Sequence, residues 1–350
     1  MADREKIISN THPESSDRLE IYRLALDDDT DTFARDVYAG LLANPKTLLP
    51  KYFYDKLGSH LFEAICELPE YYVTRAENEI LREHIDEIIS EIEDPDQRNI
   101  RLIELGSGSA DKTRYFIQAL LRRQKELHYL PIDISAASLE RSAPELIRDY
   151  PGIRITAYTA DYSTALQELA RANTLDQQDN NRNVVLFLGS SIGNLDPDET
   201  GELLRNVRRV LHPEDVLFIG VDLKKPPAIL VPAYNDALGV TAAFNLNLLV
   251  RINRELDGDF DLARFEHRAI YNEQPGRIEM HLFSREPQIV KIRALDLQVK
   301  FERGESIHTE NSYKFDLDQL SGLALDTGFS LEKTWFDRGH QFSFNLFSST

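Results

Sequence analysis

The fold is decided by residues 100–108, which read IRLIELGSG. The apolar run before the glycines predicts a buried strand, and Gly106 and Gly108 let the backbone turn tightly and approach a ligand. A Gly-x-Gly pair alone is a weak signal. Here an acid, Glu104, precedes it, and Asp111 stands where a dinucleotide-binding loop has a third glycine. The loop therefore favours S-adenosylmethionine over NAD as the cofactor.

Short apolar runs alternate with helical patterns through the middle of the chain. The runs predict strands at residues 100–105, 127–132, 153–158, 184–188 and 216–221. The patterns between them predict helices at residues 112–124, 136–149, 163–172 and 198–211. Because parallel strands need crossover connections, this alternation predicts an α/β fold with a doubly wound parallel sheet.

The chain changes character on both sides of this section. Before it, helices are expected over residues 29–43, 59–66 and 75–92. After Lys224, the sequence predicts an inserted α+β unit, with a long helical pattern over 233–256 and strands near 277–283 and 289–301. The chain is then expected to return to the sheet, with a helix over 317–327 and strands over 330–336 and 342–347. We expect three parts: a cofactor-binding domain over 20–224 and 315–350, an inserted substrate-binding domain over 225–314 with part of 60–95, and a flexible arm over 1–19.

Polar residues follow successive predicted strands, at the edge where open parallel sheets bind ligands. Asp133 ends the second strand and can accept hydrogen bonds from both ribose hydroxyls. Asp161 and Tyr162 follow the third strand and are candidates for the adenine amino group and ring face, while Lys112 can reach the cofactor carboxylate. Each acid alone could equally cap a helix or carry a solvated charge. Their occurrence at successive strand ends favours a cofactor site.

Composition excludes several classes of function. The chain has 350 residues, of which 42% are hydrophobic, and 40 basic against 59 acidic residues give a formal charge of −19. This charge repels nucleic acid and anionic lipid, so we expect neither as a partner. Neither a membrane-spanning run nor a signal-peptide pattern occurs in the sequence, so we expect a cytoplasmic protein, and we expect a monomer.

Cysteine and histidine usage gives no support for a disulfide or a metal. Cys66 is the only cysteine and is expected to be a small buried side chain. The nine histidines look scattered, without the spacing of metal ligands. We therefore expect no metal centre.

Longer segments resemble a known family. They are YFYDKLGS at 52–59, LPEYYVTR at 68–75, GSSIGNL at 189–195 and GVTAAFN at 239–245. From Tyr52 onward the chain resembles the histidine Nα-methyltransferases of ergothioneine biosynthesis, a family shared with fungal dimethylallyltryptophan N-methyltransferases. The resemblance implies a class I, Rossmann-like methyltransferase sheet with an inserted substrate-binding domain. It also implies S-adenosylmethionine-dependent Nα-methylation of L-histidine, three times, to give histidine betaine (hercynine).

The resemblance also implies roles for individual residues, which comprise Tyr54, Tyr71, Asn194, Tyr234, Met280, Glu310 and Ser312. Asn194 and Tyr234 would hold the α-carboxylate and help orient the amine, with Tyr71 nearby. Asn194 and a water bound by Tyr54 would accept from the reacting nitrogen. Glu310 and Ser312 would bond the two imidazole nitrogens, and Met280 would pack against that ring.

Other interpretations of these residues stay open. Glu310 alone could be a surface charge, Met280 ordinary core, and the tyrosines packing residues. The whole chain could instead methylate tryptophan or a tryptophan derivative, act as an NAD-dependent oxidoreductase, or be a binding protein without a cofactor. The presence of Glu310 favours histidine, because a carboxylate and a hydroxyl satisfy both imidazole nitrogens.

Overall fold

The computed structural model describes residues 4–7, 17–24, 29–93, 98–175 and 181–349. The chain divides into two units. The first comprises Met1–Leu26, Val73–Leu223 and Phe315–Thr350, and the second comprises Asp27–Tyr72 and Lys224–Lys314. This division differs from the expected one in residues 27–59, which belong with the later segment rather than with the sheet, whereas residues 60–72 lie in the unit where part of 60–95 was expected.

The strands, numbered in chain order, are β1 (Arg4–Ile7), β2 (Leu19–Leu24), β3 (Lys46–Thr47), β4 (Ile100–Leu105), β5 (Leu127–Asp133), β6 (Ile153–Thr159), β7 (Arg182–Phe187), β8 (Val216–Asp222), β9 (Phe265–Asn272), β10 (Arg277–Ser284), β11 (Gln288–Ile292), β12 (Leu297–Phe301), β13 (Ser306–Tyr313), β14 (Phe329–Phe336) and β15 (Phe342–Ser349). The helices are α1 (Asp29–Leu42), α2 (Lys56–Cys66), α3 (Tyr72–Glu91), α4 (Thr113–Leu121), α5 (Ala136–Asp149), α6 (Tyr162–Leu175), α7 (Pro197–Val210), α8 (Pro227–Ala233), α9 (Val240–Leu256) and α10 (Leu317–Asp326). Short 3-10 helices lie at Pro50–Phe53, Ser191–Asn194, Leu262–Arg264 and Arg293–Leu295.

The first unit is built on a large sheet of order β1-β2-β6-β5-β4-β7-β8-β15-β14. Strands β2 and β4 to β8 run parallel, while β15 pairs antiparallel with β8 and with β14. The chain order reverses at β4, since β5 and β6 lie on one side of it and β7 and β8 on the other. This confirms the predicted doubly wound α/β sheet and makes β4 the switch point, where such sheets bind ligands.

The central strands of this sheet are covered on both faces. All seven residues of β8 are buried, as expected for a parallel strand packed between helix layers. Phe218 of β8 is fully buried and stacks on Phe344 of β15, with ring centroids 5.1 Å apart. The crossover helix α7 starts with Pro197 and a capping box between Asp196 and Glu199, which satisfies free N–H groups at its first turn.

The N-terminal region differs from the expected flexible arm. Residues 4–7 form β1, which pairs antiparallel with β2 at the edge of the sheet. Residue 19 of the expected arm already belongs to β2, and residues 1–3 and 8–16 of the arm lie outside the described residues.

The second unit has its own four-stranded sheet of order β3-β13-β10-β9 and a hairpin of β11 and β12. Along β10 the side chains alternate between half-buried and buried, so Ile278, Met280 and Leu282 point to the core. Strands β9 and β13 were not predicted, because their alternation of polar and apolar residues is weak.

Two predicted elements of the second unit are interrupted. The helix expected over 233–256 begins only at Val240, as α9, because α8 ends at Ala233 and Gly239, with a φ of +77°, precludes a continuous helix between them. The strand expected over 289–301 is a hairpin, with Asp296 in the left-handed region at the turn. Among the described residues, we find no helix long and apolar enough to cross a membrane.

The stacked pair in the sheet gives a stability prediction. Replacing Phe218 with alanine leaves a cavity in the core and should lower the free energy of unfolding by about 3–5 kcal/mol. The matched control is Leu325→Ala, whose side chain is 69% exposed and whose loss should change stability by less than about 0.5 kcal/mol. Urea denaturation followed by circular dichroism measures both, and equal effects would contradict the assigned core.

Candidate functional site

The loop after β4 forms a tight turn at the carboxyl edge of the sheet. Gly106 and Gly108 have φ values of +75° and +50°, and the Gly106 N–H donates to the Ile132 carbonyl of β5 at 2.8 Å. A Cβ at Gly106 would lie 2.8 Å from the hydroxyl oxygen of Tyr162. The first glycine is therefore required both by its backbone conformation and by the approach of this tyrosine.

Asp133 lies next to this loop, at the end of β5. One carboxylate oxygen accepts from the Gly108 N–H at 2.7 Å and the other from the Ser135 N–H at 2.8 Å. Burial raises the pKa of Asp133, although these backbone bonds act against the rise. Each oxygen keeps acceptor capacity, so the predicted bonds to a ribose remain possible.

Two buried hydroxyl groups at this edge lack partners among the described residues. They are the Oγ of Ser107, in the loop, and the Oγ1 of Thr159, which pairs across the sheet with Asp133. Buried polar groups are nearly always hydrogen-bonded, so these two are suited to a polar ligand. Together with the open space beside Gly108, where an added Cβ would meet no atom of the described chain within 4 Å, they fit an adenosyl cofactor. Neither hydroxyl was predicted from the sequence.

Glu104, the acid before the first glycine, has a structural role. It is 2% exposed, and its carboxyl group accepts from Thr113 Oγ1 at 2.6 and 2.7 Å and from the Tyr129 hydroxyl. Burial raises the pKa of Glu104 to about 8, and the bonds from Thr113 and Tyr129 partly oppose this rise. The acid ties the end of β4 to the start of α4, which holds the glycine loop in place.

Asp161 and Tyr162 lie where the third predicted strand ends. Asp161 accepts from the backbone and the hydroxyl of Thr164, both at 2.8 Å, and so caps α6. The rings of Tyr162 and Phe187 meet edge-on, with their centroids 5.4 Å apart. Burial raises the pKa of the Tyr162 hydroxyl, and the negative charges of Asp133 and Glu104 raise it further. Capping thus accounts for the position of Asp161, while its contact with adenine stays a prediction.

Lys112 is held by a carboxylate that was not predicted from the sequence. Its ammonium bonds Glu77 of α3, which is fully buried and also accepts from the Gly189 N–H at 2.9 Å. Glu77 lies in a charged helical pattern, where nothing in the sequence distinguishes it from the exposed acids. Lys112 is therefore fixed near the start of the segment after β7, and its contact with a cofactor carboxylate stays a prediction.

Asn194 closes the 3-10 helix that follows β7. The backbone reaches it through Gly189 and Ser190, whose φ values of +73° and +58° turn the chain sharply after the strand. Asn194 is half-buried and lies at the same sheet edge as the glycine loop, because β7 neighbours β4.

In the second unit, Tyr234 and Ser312 meet around a buried lysine. The two hydroxyl oxygens are 2.8 Å apart, and Lys314 donates to Tyr234 at 2.8 Å and to Ser312 at 2.7 Å. Lys314 is 1% exposed. Lys314 was not predicted as a site residue, although strand alternation after Glu310 places residues 310, 312 and 314 on one face.

Glu310 and Met280 are direct cross-strand partners on β13 and β10, on the buried face of the small sheet. Glu310 is 8% exposed, and burial raises its pKa to about 8, although the charge of Lys314 acts in the opposite direction. Ile278 is likewise paired with Ser312. The predicted pair of imidazole contacts and the predicted ring-packing residue therefore lie side by side.

An aromatic cluster adjoins these residues. The rings of Tyr71 and Tyr234 meet edge-on, with their centroids 6.0 Å apart. The centroid of the Phe62 ring lies 6.2 Å from that of Tyr71 and 5.7 Å from that of Tyr54. Burial raises the pKa of Tyr71, and Tyr234, Cys66, Tyr54 and Glu310 add to the rise. The structure thus brings together all the substrate residues predicted within this unit.

A histidine fixes the backbone of Tyr234. His267 is buried, and its Nε2 lies 2.8 Å from the Tyr234 carbonyl while its Nδ1 lies 2.9 Å from the Asn245 amide nitrogen. A carbonyl can only accept, so we assign the proton to Nε2 and the lone pair to Nδ1. Burial lowers the pKa of His267, which favours this neutral form.

The histidines are less scattered than the sequence suggested. Strand pairing brings ligand atoms of Glu279, His281 and His308 within 4.8 Å of one another. Spacing along the chain did not predict this group, because His308 lies on a different strand. Arg277 already bonds the Glu279 carboxylate at 2.8 Å, and its positive charge opposes a second cation there.

Comparison with known proteins assigns the chain to a family. The family model described as "Histidine-specific methyltransferase, SAM-dependent" matches residues 33–349. The chain belongs to this family. The S-adenosylmethionine cofactor predicted from the glycine loop is confirmed, and the NAD-dependent oxidoreductase is excluded.

The relatives of this methyltransferase carry names that point to different substrates. The histidine N-alpha-methyltransferase of Mycolicibacterium smegmatis is 42% identical, over 92% of this chain and 97% of that protein. The ergothioneine biosynthesis protein 1 of Schizosaccharomyces pombe is 31% identical, over 66% of this chain and 29% of that protein. The 4-dimethylallyltryptophan N-methyltransferase of Trichophyton verrucosum is 26% identical, over 90% of this chain and 92% of that protein.

The glycine loop gives a test of the cofactor site. In this methyltransferase, Gly106→Ala places a Cβ against Tyr162 in a left-handed backbone conformation, so the affinity for S-adenosylhomocysteine should fall about tenfold or more. Gly322→Ala is the matched control, since Gly322 has open space in helix α10. Titration calorimetry measures both variants, and unchanged binding by Gly106→Ala would contradict the assigned site.

Proposed function

We propose that this methyltransferase transfers methyl groups from S-adenosylmethionine to the α-nitrogen of L-histidine, three times in succession, giving hercynine. The observation that carries the proposal is Glu310, a buried carboxyl group beside Met280 with the Ser312 hydroxyl on the same strand face. The names of the relatives, a histidine N-alpha-methyltransferase and an ergothioneine biosynthesis protein, agree with it. We further propose that the reaction belongs to ergothioneine biosynthesis.

Recognition of the side chain rests on the two nitrogens of imidazole. Glu310 bonds one nitrogen and Ser312 the other, while the Met280 side chain packs against the ring. A buried carboxyl group left without a partner is costly, so a substrate that lacks the matching nitrogen binds less well. This selects histidine over amino acids with purely apolar side chains.

The amino-acid end is assigned to other residues. Tyr234 donates to the α-carboxylate, and Asn194 contributes a further contact to the carboxylate and the amine. Tyr54, through a water molecule, and Asn194 accept from the amine and hold its lone pair in the reactive direction. These roles for Asn194 and Tyr54 are the catalytic part of the proposal.

Orientation supplies most of the acceleration. S-adenosylmethionine, when bound, supplies an electrophilic methyl group at its sulfonium centre. The α-nitrogen lone pair forms the new N–C bond as the S–C bond breaks, so the nitrogen must be unprotonated and aligned. An α-amino group has a reference pKa of roughly 8, so no strong base is needed, and the residues around it accept the departing proton through water.

Successive methylation removes the N–H groups of the substrate one by one. The final quaternary ammonium cannot donate a hydrogen bond, and aromatic faces then favour it most. Tyr71, which is buried against Tyr234, is suited to this contact.

We propose that the cofactor is held by the two loop glycines, 106 and 108, and by residues 112, 133, 161 and 162.

A second candidate is methylation of tryptophan or a tryptophan derivative. The related 4-dimethylallyltryptophan N-methyltransferase motivates it. A prenylated indole offers one N–H and a large apolar surface, so the buried carboxyl group of Glu310 does not suit it.

We also propose that the protein acts as a cytoplasmic monomer, since its charge of −19 opposes both membrane binding and self-association.

Mass spectrometry tests the reaction directly. L-histidine incubated with the protein and S-adenosylmethionine should gain one, two and three methyl groups in turn, and the trimethylated product should accumulate. Tryptophan and tyrosine serve as parallel substrates. Equal methylation of tryptophan, or none of histidine, would overturn the proposal.

Glu310→Ala tests the specificity residue. The variant should lower kcat/KM for histidine by about a hundredfold, because a charged hydrogen bond contributes about 1.5–3 kcal/mol. Its affinity for S-adenosylhomocysteine should stay the same. The control is Glu273→Ala, an exposed acid in the turn between β9 and β10, and comparable losses in the two variants would refute the assigned role.

The raised pKa of Glu310 gives a pH dependence. Below pH 8 the carboxyl group is largely protonated in the free enzyme, so kcat/KM should rise with pH as both Glu310 and the substrate amine lose a proton. Glu310→Gln removes the first of these ionisations. On logarithmic axes between about pH 6.5 and 8, the wild-type slope should exceed that of the variant by up to about one, and identical profiles would contradict the role of Glu310 as a carboxylate.

A further inference from the structure

His267 and Asn245 form a buried hydrogen-bonded pair beside the backbone of Tyr234. His267 occupies a buried position of β9, and Asn245 of α9 is fully buried. The imidazole Nε2 lies 2.8 Å from the Tyr234 carbonyl oxygen, and Nδ1 lies 2.9 Å from the Asn245 amide nitrogen. Since Tyr234 is the residue that caps the end of α8, the pair joins α9 and β9 to that point of the chain.

Tyr234 begins a loop, so its position depends on bonds from other elements. Helix α8 ends just before it, and α9 begins only at Val240. Asp236 fixes the far end of this loop, because its carboxylate accepts from the Val240 and Thr241 N–H groups at 3.0 and 2.7 Å. His267 fixes the near end, at the carbonyl of Tyr234 itself.

The donors and acceptors in this chain of bonds follow from the carbonyl at one end. A carbonyl oxygen only accepts, so the imidazole donates from Nε2 and carries its lone pair on Nδ1. The Asn245 amide nitrogen donates to that lone pair. A donor at Nδ1 disfavours the other neutral tautomer, in which Nε2 would face the Tyr234 carbonyl without a proton. Asn245 therefore selects the tautomer of His267 that bonds to Tyr234.

Stability alone does not account for the amide of Asn245. Its Oδ1 is buried and has no hydrogen-bond partner within the part of the chain that the structure describes. A buried acceptor without a partner is costly, and a leucine of similar volume would avoid that cost. The amide nitrogen is the part of the side chain that is bonded, since it donates to His267 and, at 3.4 Å, to the His281 carbonyl.

We propose that His267 and Asn245 are positioning residues, which hold Tyr234 where its hydroxyl meets the α-carboxylate of the substrate. Both act through Tyr234, and neither is assigned a contact with the substrate. Site residues must be held to within about 0.5 Å, and a displacement of about 1 Å can lower a rate about a hundredfold. The inference rests on the proposed methylation of histidine, and it adds the residues that fix the carboxylate contact.

Two substitutions of His267 in the full chain separate its hydrogen bonds from its bulk. His267→Leu removes both bonds, so kcat/KM for histidine should fall about tenfold or more. His267→Gln keeps a donor for the Tyr234 carbonyl and an acceptor for Asn245, so kcat/KM should stay within about threefold of the wild type. The matched control is His60→Leu, at an exposed histidine of α2, which should change kcat/KM by less than about twofold.

A double-mutant cycle separates positioning from a general loss of structure. Tyr234→Phe removes the hydroxyl assigned to the carboxylate and should itself lower kcat/KM for histidine about tenfold or more. In that background, His267→Leu should lower kcat/KM by less than about a further threefold. If His267→Leu does not fold, Asn245→Leu takes its place in the cycle, because it keeps the imidazole and removes only the donor that selects its tautomer.

The results that overturn the inference differ from those that overturn the proposed function. Equal losses in His267→Gln and His267→Leu would refute the role of the hydrogen bonds, and additive losses in the cycle would refute action through Tyr234. Either result leaves the methylation of histidine intact. An unchanged kcat/KM in Tyr234→Phe would overturn the carboxylate contact and this inference together. A wild-type protein that binds S-adenosylhomocysteine but does not methylate histidine would overturn the whole proposed function.

Discussion

A single hydrogen bond, from the Gly108 N–H to the Asp133 carboxylate, fixes the geometry on which the cofactor site of the first unit depends. It joins the turn after β4 to the end of β5 at the point where the strand order reverses. The turn can make this bond only because two glycines adopt left-handed conformations. Glu104, which is buried and accepts from Thr113 and Tyr129, anchors the end of β4 just before the same turn. The cofactor site is therefore held by backbone geometry first and by side chains second.

The sheet of the first unit could be predicted from sequence because its signals are local. Each of the five central strands lies within two residues of its predicted bounds, since buried parallel strands are short apolar runs separated by helices. The second unit was predicted less well. Strand β13 depends on partners farther along the chain, β10 and β3, and β9 has only a weak alternation although it forms a hairpin with β10. The helix expected from residue 233 starts only after Gly239. That residues 27–59 belong to this unit was not predicted, because no local pattern distinguishes them from the helices before the sheet.

The site residues that could be predicted are those that lie in recognisable sequence patterns. Gly106, Gly108 and Asp133 follow strands in a recognisable order, and the substrate residues came from long segments that resemble a family. Glu77, Ser107, Thr159 and Lys314 could not be found in the same way, because their importance comes from burial. A buried charge or an unpartnered hydroxyl looks, in sequence, like any surface residue. Only strand alternation beyond Glu310 pointed towards Lys314.

Two carboxyl groups described above, Glu104 and Glu310, keep their protons at neutral pH because burial raises the pKa of each to about 8. Two retained protons bring the formal charge of −19 to about −17 at pH 7. The molecule therefore migrates in an electric field as a less acidic protein than its composition implies. A ligand that ionises Glu310 also releases a proton to the solution, so the heat of that binding depends on the ionisation enthalpy of the buffer.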